Sequence, residues 1–150
     1  VRIVGAGGGN LTLTSNAQAH VSRISAPIEK TWIAMPGAFE ALSIPITSVD
    51  TLTHVVANEG FKLRRQLGST PLSRFIDCGT TQIGENADSY DVHLTISVQL
   101  RPEEGGITRL ETMFEAMAKP VSFSREYSRC SSRGVLEARI ADAVKAQLRP

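Results

Sequence analysis

Cys78 and Cys130 are the only two thiols in the chain, and an even number permits a single disulfide. In the chain-entropy picture, a bridge between positions this far apart adds roughly 4 kcal/mol by restricting the unfolded chain, which rivals the net stability of a small domain. The competing reading is two separate buried thiols in a reducing compartment. The count alone leaves both readings open.

The other residues able to do chemistry are scattered. His20, His54 and His93 occur singly, and a general base needs a located partner that no spacing here supplies. The same lack of spacing argues against a Cys–His nucleophile pair or a mixed metal site. Asp88, Asp91, Glu103 and Glu104 fall at strand ends and turns, where solvated acids are ordinary. Lys62, Arg64 and Arg65 form one basic run, and Arg125, Arg129 and Arg133 a second. Without an aromatic stacking platform or a strong net positive charge these runs do not predict a nucleic-acid partner, but they suit a modest contact to a protein or to lipid headgroups.

The opening stretch Val1-Arg2-Ile3-Val4-Gly5-Ala6-Gly7-Gly8-Gly9 imitates a dinucleotide-binding start, and Glu29 follows at a suitable distance. Asn10 replaces the third glycine, and the strand-like Leu11-Thr12-Leu13-Thr14 stands where a phosphate-binding helix must begin. Asn10-Leu11-Thr12 matches a glycosylation acceptor, a pattern too short to carry weight. There is no P-loop, no His-Glu-x-x-His and no Cys-x-x-Cys. The sequence therefore predicts no catalytic residues, no cofactor and no metal.

Composition sets the frame for these residues. The chain has 150 residues, 41% of them hydrophobic and 21% charged, the balance of a globular domain with a real core. With 16 Lys plus Arg against 15 Asp plus Glu, no strong field draws it to nucleic acid or an anionic bilayer. No apolar run reaches the length of a membrane-spanning helix, so no transmembrane segment is expected. The start at Val1 is compatible with removal of a targeting segment, with trimming, or with a further stretch upstream.

The elements follow from periodicity. Residues 1–10 read as a flexible Gly-rich leader, and residues 11–150 as a single α+β domain. Leu11 to Ser25 suits a strand. Ser25-Ala26-Pro27 opens a helix whose stripe is Ile28, Trp32, Met35, Phe39 and Leu42, with Pro36-Gly37 predicting a kink or two short helices. Ile44 to Val56 and Phe61 to Leu67 read as strands joined by a turn at Asn58-Glu59-Gly60. A helical turn is expected in Pro71 to Ile76 and a loop from Gly79 to Asp88.

Tyr90 to Arg101 alternates apolar and polar residues six times in succession, and Leu110 to Ala118 does so again after the turn Pro102 to Gly106. That is an antiparallel hairpin. Met113 and Met117 fall on its outer face, as cover for a further helix or as part of a contact patch. Ser131 or Ser132 can cap a final helix with the stripe Leu136, Ile140, Val144 and Leu148, whose polar side carries Glu137, Asp142, Lys145 and Arg149.

The order strand, Ser-Ala-Pro-Ile-Glu-Lys-Thr-Trp helix start, antiparallel strands and amphipathic last helix resembles the helix-grip families. These include START-type lipid-transfer and polyketide-cyclase-like proteins, and the domains of outer-membrane-assembly lipoprotein C. The resemblance implies a curved antiparallel sheet packed against a long C-terminal helix. In its ligand-binding branch it also implies a cavity between them. Here the strand candidates are fewer and shorter and aromatic residues are few, which favours a filled core.

Asp77-Cys78-Gly79, Cys130-Ser131-Ser132 and Gly134-Val135-Leu136-Glu137 also look like segments of bacterial envelope proteins, a likeness that favours the disulfide. The implied function is a non-catalytic structural or interaction protein of the periplasm or cell envelope, a membrane-extrinsic subunit bracing a larger membrane protein complex for outer-membrane assembly, photosynthesis or respiration. Met113, Met117, Arg125, Arg129 and Arg133 are the candidate partner contacts. The alternative is a helix-grip carrier or enzyme holding a small hydrophobic ligand or lipid against Leu136, Ile140 and Val144.

Overall fold

Alternation builds the centre of the molecule in the computed structural model, which describes residues 19–121 and 126–149. The expected leader, the first part of the expected strand and Arg125 lie outside the described residues. The two long strands of the hairpin are Asp91–Glu103 and Ile107–Lys119, longer than their apolar alternation alone suggests. In chain order the elements are β1 (His20–Ile24), α1 (Ile28–Ala41), β2 (Ser48–Asp50), β3 (Val55–Arg64), β4 (Gln66–Leu67), β5 (Thr70–Pro71), β6 (Ile76–Asp77), β7 (Thr80–Thr81), β8 (Gly84–Glu85), β9 and β10 (the hairpin), β11 (Ser128–Ser132) and α2 (Val135–Gln147).

Across the hairpin Leu100 faces Leu110, Val98 faces Thr112, Ile96 faces Phe114 and Leu94 faces Ala116. Because side chains alternate between faces, this register sends one set to the core and the other away from it. The main sheet runs β5-β4-β3-β9-β10-β11-β6, with β1 also on β10 and β2 also on β3, while β7 and β8 form a separate small pair. Every pairing is antiparallel. The two helices pack on each other, α1 also on β9 and β10 and α2 on β1 and β10, so the fold is α+β with the core between helices and sheet. Buried Thr31 ties the start of α1 to the sheet through Thr108, whose Oγ1 donates to the Ala26 carbonyl at 2.8 Å.

Three expectations are corrected. First, of a kink or two short helices at Pro36-Gly37, the two short helices are not found, since α1 runs as one helix through Pro36. Pro36 stands on the exposed side, where a carbonyl deprived of its donor can be hydrated, while Met35, Ala38 and Phe39 hold the buried side. Pro36→Ala should therefore raise stability by about 1–3 kcal/mol, read as a shift in the urea midpoint followed by Trp32 fluorescence.

Second, Ile44 to Val56 is not one strand, and Asn58 to Gly60 is not a turn. The turn falls at 51–54, where Asp50 Oδ1 accepts the Leu52 and Thr53 amides at 2.9 and 3.2 Å and His54 adopts φ 57°. Asn58 to Gly60 forms a bulge inside β3, marked by a register shift against β9. Asn58 Oδ1 accepts from Gly60 N, and its Nδ2 donates to the Pro45 carbonyl at 2.8 Å. Third, α2 has 13 residues and is short where a long helix was expected. Three of its four stripe residues, Leu136, Ile140 and Val144, are fully buried, while Leu148 is half-buried just past the helix and Glu137, expected on the polar side, is buried as well.

The amides of Thr53 and then Leu52 hold the Asp50 carboxyl below its usual value of 3.8. A carboxylate whose pKa falls on folding stabilises the protein above the unfolded pKa and loses that contribution as pH drops through the lower folded value. An NMR titration of Asp50 should place its midpoint below 3.8, and any stability gap between the protein and Asp50→Asn should shrink as acid is added below that pH.

Candidate functional site

The two cysteines meet where β11 pairs with the edge strand β6. Ser131 pairs with Asp77 and Ser132 with Ile76, which brings the adjacent Cys78 and Cys130 together as a disulfide with a Cα–Cα distance of 4.5 Å. Among the described residues no free cysteine remains. The bridge is one tie among several. Asn86 Nδ2 donates to the Cys78 carbonyl, Ser73 N and Oγ donate to the two oxygens of Asp88 at 2.9 and 2.7 Å, and Arg133 Nε donates to the Ser73 carbonyl at 2.8 Å.

Arg133 also pairs with Glu85 at 2.9 Å. Ser132 Oγ accepts from Gly134 N and donates to Glu137 Oε2 at 2.7 Å, so Ser132 supports the start of α2 from two residues before its cap, Gly134. A cleft of about 210 Å³ opens beside the bridge, lined by Cys78, Asn86, Tyr90, Glu126, Arg129 and Cys130 among others.

Of the candidate contact residues, Arg125 lies outside the described residues. Met113 alternates away from the helices but keeps only 6% of its surface exposed, and Met117 is half-buried opposite Arg129, which is exposed. Arg133 is spent on the clamp just described. The acids are also occupied: Asp88 on Ser73, Asp91 on Arg64 at 3.6 Å, and Glu103 on Arg23 and Arg109, with Glu104 exposed at the hairpin turn. Among the described residues no three His, Cys, Asp or Glu side chains are placed to hold a metal.

The histidines lie on β1, in the 51–54 turn and on β9. His93, on the polar side of the β9 alternation, is half-buried. Its imidazole lies over Gly60, where a Cβ would meet Nε2 at 2.7 Å, and 6.1 Å from the Tyr127 ring, above which Lys119 sits. Gly60 has φ 153°, a backbone state that side chains resist. Gly60→Ala should cost about 1–3 kcal/mol, and adding His93→Ala should recover the steric part but not the backbone part, as read in a double-mutant cycle of urea unfolding.

The fold and this site define a disulfide-linked α+β domain with two helices on one antiparallel sheet. No family model matches the chain, and no curated protein and no solved structure matches it. Among the described residues no helix is long and apolar enough to cross a membrane.

Proposed function

We propose that this chain is a non-catalytic, membrane-extrinsic interaction domain of the bacterial envelope, bracing a larger membrane protein complex, with its sheet and helices arranged as a compact helix-grip. The observation that carries this reading is the Cys78–Cys130 bridge, since such links persist in oxidising compartments and are rare in the cytosol. The occupied acids and the clamped Arg133 support a structural reading over a catalytic one. The buried stripe Leu136, Ile140 and Val144 supports packing against the sheet over a ligand in the same place.

Affinity purification from gently solubilised source membranes tests the proposal. Recovery with a large membrane assembly is the expected result, and recovery only as a free monomer overturns it. A native mass spectrum showing a bound lipid or apolar ligand would favour the carrier instead.

A further inference from the structure

The pairing of β10 with β1 and β9 sets Arg109 opposite Arg23 on one side and opposite Arg101 on the other. Three guanidiniums therefore stand in one cross-strand row, on the sheet face that alternates away from buried Ile24, Leu110 and Leu100. Like charges set directly opposite one another destabilise a sheet, and only two carboxylates answer these three. Glu103 pairs with Arg23 at 3.0 Å and reaches Arg109 at 3.8 Å. Glu111 pairs with Arg101 at 2.7 Å and reaches Arg109 at 3.5 Å. The outer arginines take the short contacts and the middle one the long ones. Arg109 Nε is buried and finds no hydrogen-bond partner among the described residues, so this guanidinium is the under-satisfied member of the row.

A cleft of about 510 Å³ opens between the row and the 51–54 turn, lined by Arg101, Arg109, Gln99, Thr53 and His54 among others, a size suited to a small molecule. Gln99 fixes one wall of it. Its Oε1 accepts from Arg101 Nη2 at 3.0 Å and its Nε2 donates to the Thr53 carbonyl at 3.2 Å, so Arg101 is held in place before any ligand arrives.

From this geometry we propose that the cleft binds the phosphate group of a small soluble ligand, gripped by Arg109 and Arg101. The two glutamates show what a carboxylate achieves here, which is one short contact and one long contact to the middle arginine. A phosphate has a third acceptor oxygen and carries more charge, so it can serve both guanidiniums at once. Glu103 then remains on Arg23 alone. The opposing charges are Glu103, which lines the cleft, Asp50, whose Oδ1 is turned to the Leu52 and Thr53 amides, and Glu104, exposed at the hairpin turn. The site uses neither the disulfide nor the membrane-extrinsic reading, and each can fail without the other.

An NMR titration of the oxidised full chain with inorganic phosphate, at ionic strength held constant with sodium chloride, tests this. Saturable shifts should appear at the amides of Thr53, Gln99, Arg101 and Arg109, with a Kd of about 1 mM, and acetate should bind about 10-fold more weakly or worse. Arg109→Gln and Arg101→Gln should each weaken phosphate about 10-fold, and Arg109→Lys should not restore it, because the planar fork is lost. Glu103→Gln should tighten binding about 5-fold by removing a repelling charge, whereas a purely structural ion-pair network gives no gain. Arg64→Gln, at the other end of β9 where Arg64 pairs with Asp91 at 3.6 Å, should leave it unchanged. Folding of each variant is checked by Trp32 emission. No saturation by about 20 mM phosphate, parent-like binding in both arginine variants, an equal loss with Arg64→Gln, or weaker binding by Glu103→Gln would each overturn the site. Vesicles of phosphatidylglycerol separate the sources of the phosphate: no vesicle binding supports a soluble ligand, while vesicle binding that needs Arg109 and is displaced by inorganic phosphate overturns it in favour of a lipid headgroup.

Discussion

Reducing the Cys78–Cys130 bridge, or replacing both cysteines by alanine, should lower the free energy of unfolding by about 4 kcal/mol. The bridge joins positions separated by 52 residues, and cross-linking so long a loop removes much of the freedom of the unfolded chain. The native state should keep its shape without the bridge. Pairing of β6 with β11, the Arg133 clamp on Ser73 and Glu85 and the Ser73–Asp88 bonds all hold the same segment, so the loss falls mainly on the unfolded ensemble.

Urea curves for the oxidised and reduced protein, followed by the emission of Trp32, the only tryptophan in the chain, measure the difference. A loss well under 1 kcal/mol would show that the bridge constrains little. Alanine suits the test because Cys130 is buried, where a serine hydroxyl would add a desolvation cost of its own.

The parts of this fold that were legible in sequence are those set by local periodicity. Six alternations in Tyr90 to Arg101 fix a strand whose faces can be assigned residue by residue, and the four-residue spacing of Leu136, Ile140 and Val144 locates the buried side of α2. Punctuation by glycine, proline and asparagine was less specific. Asn58 and Gly60 serve a bulge as well as they serve a turn, because both need a side chain that bonds its own backbone and a residue free of Cβ. Pro36 is compatible with a helix when it stands on the solvent side, and which side that is depends on packing that the local sequence does not contain.

The site was legible only as a pair of cysteines. Arg133 was visible as one member of a basic run, but its partners Ser73 and Glu85 lie 60 and 48 residues away, and no spacing rule links positions across such distances. The same holds for His93 and Gly60, which meet because the bulge shifts the register of β3 against β9. Hydrogen bonds between distant segments are written in tertiary geometry, so composition and periodicity pass over them.

Phe39→Ala should destabilise the protein by about 3–5 kcal/mol. Phe39 has no exposed surface and belongs to the core that includes Met35, Leu94, Ile96, Leu110, Leu136 and Ile140. Removing the ring takes away its transfer free energy and leaves a void that the surrounding helices and sheet close only in part. Leu52→Ala should change stability by no more than about 0.5 kcal/mol, because that side chain is already in water.

The contrast separates core packing from general apolar content, and equal effects at the two positions would contradict the buried face assigned to α1. A domain of this size is stabilised by about 5–15 kcal/mol in all. The Phe39 and disulfide effects act on different states, one on the native core and one on the unfolded chain, so they should add. Reduced Phe39→Ala should then lose about 7–9 kcal/mol, enough to populate the unfolded chain in buffer if the parent lies in the lower half of that range. The oxidised variant should still give a cooperative transition. If the reduced variant instead unfolds at the same urea concentration as the oxidised one, the bridge and the core are not independent supports of this fold.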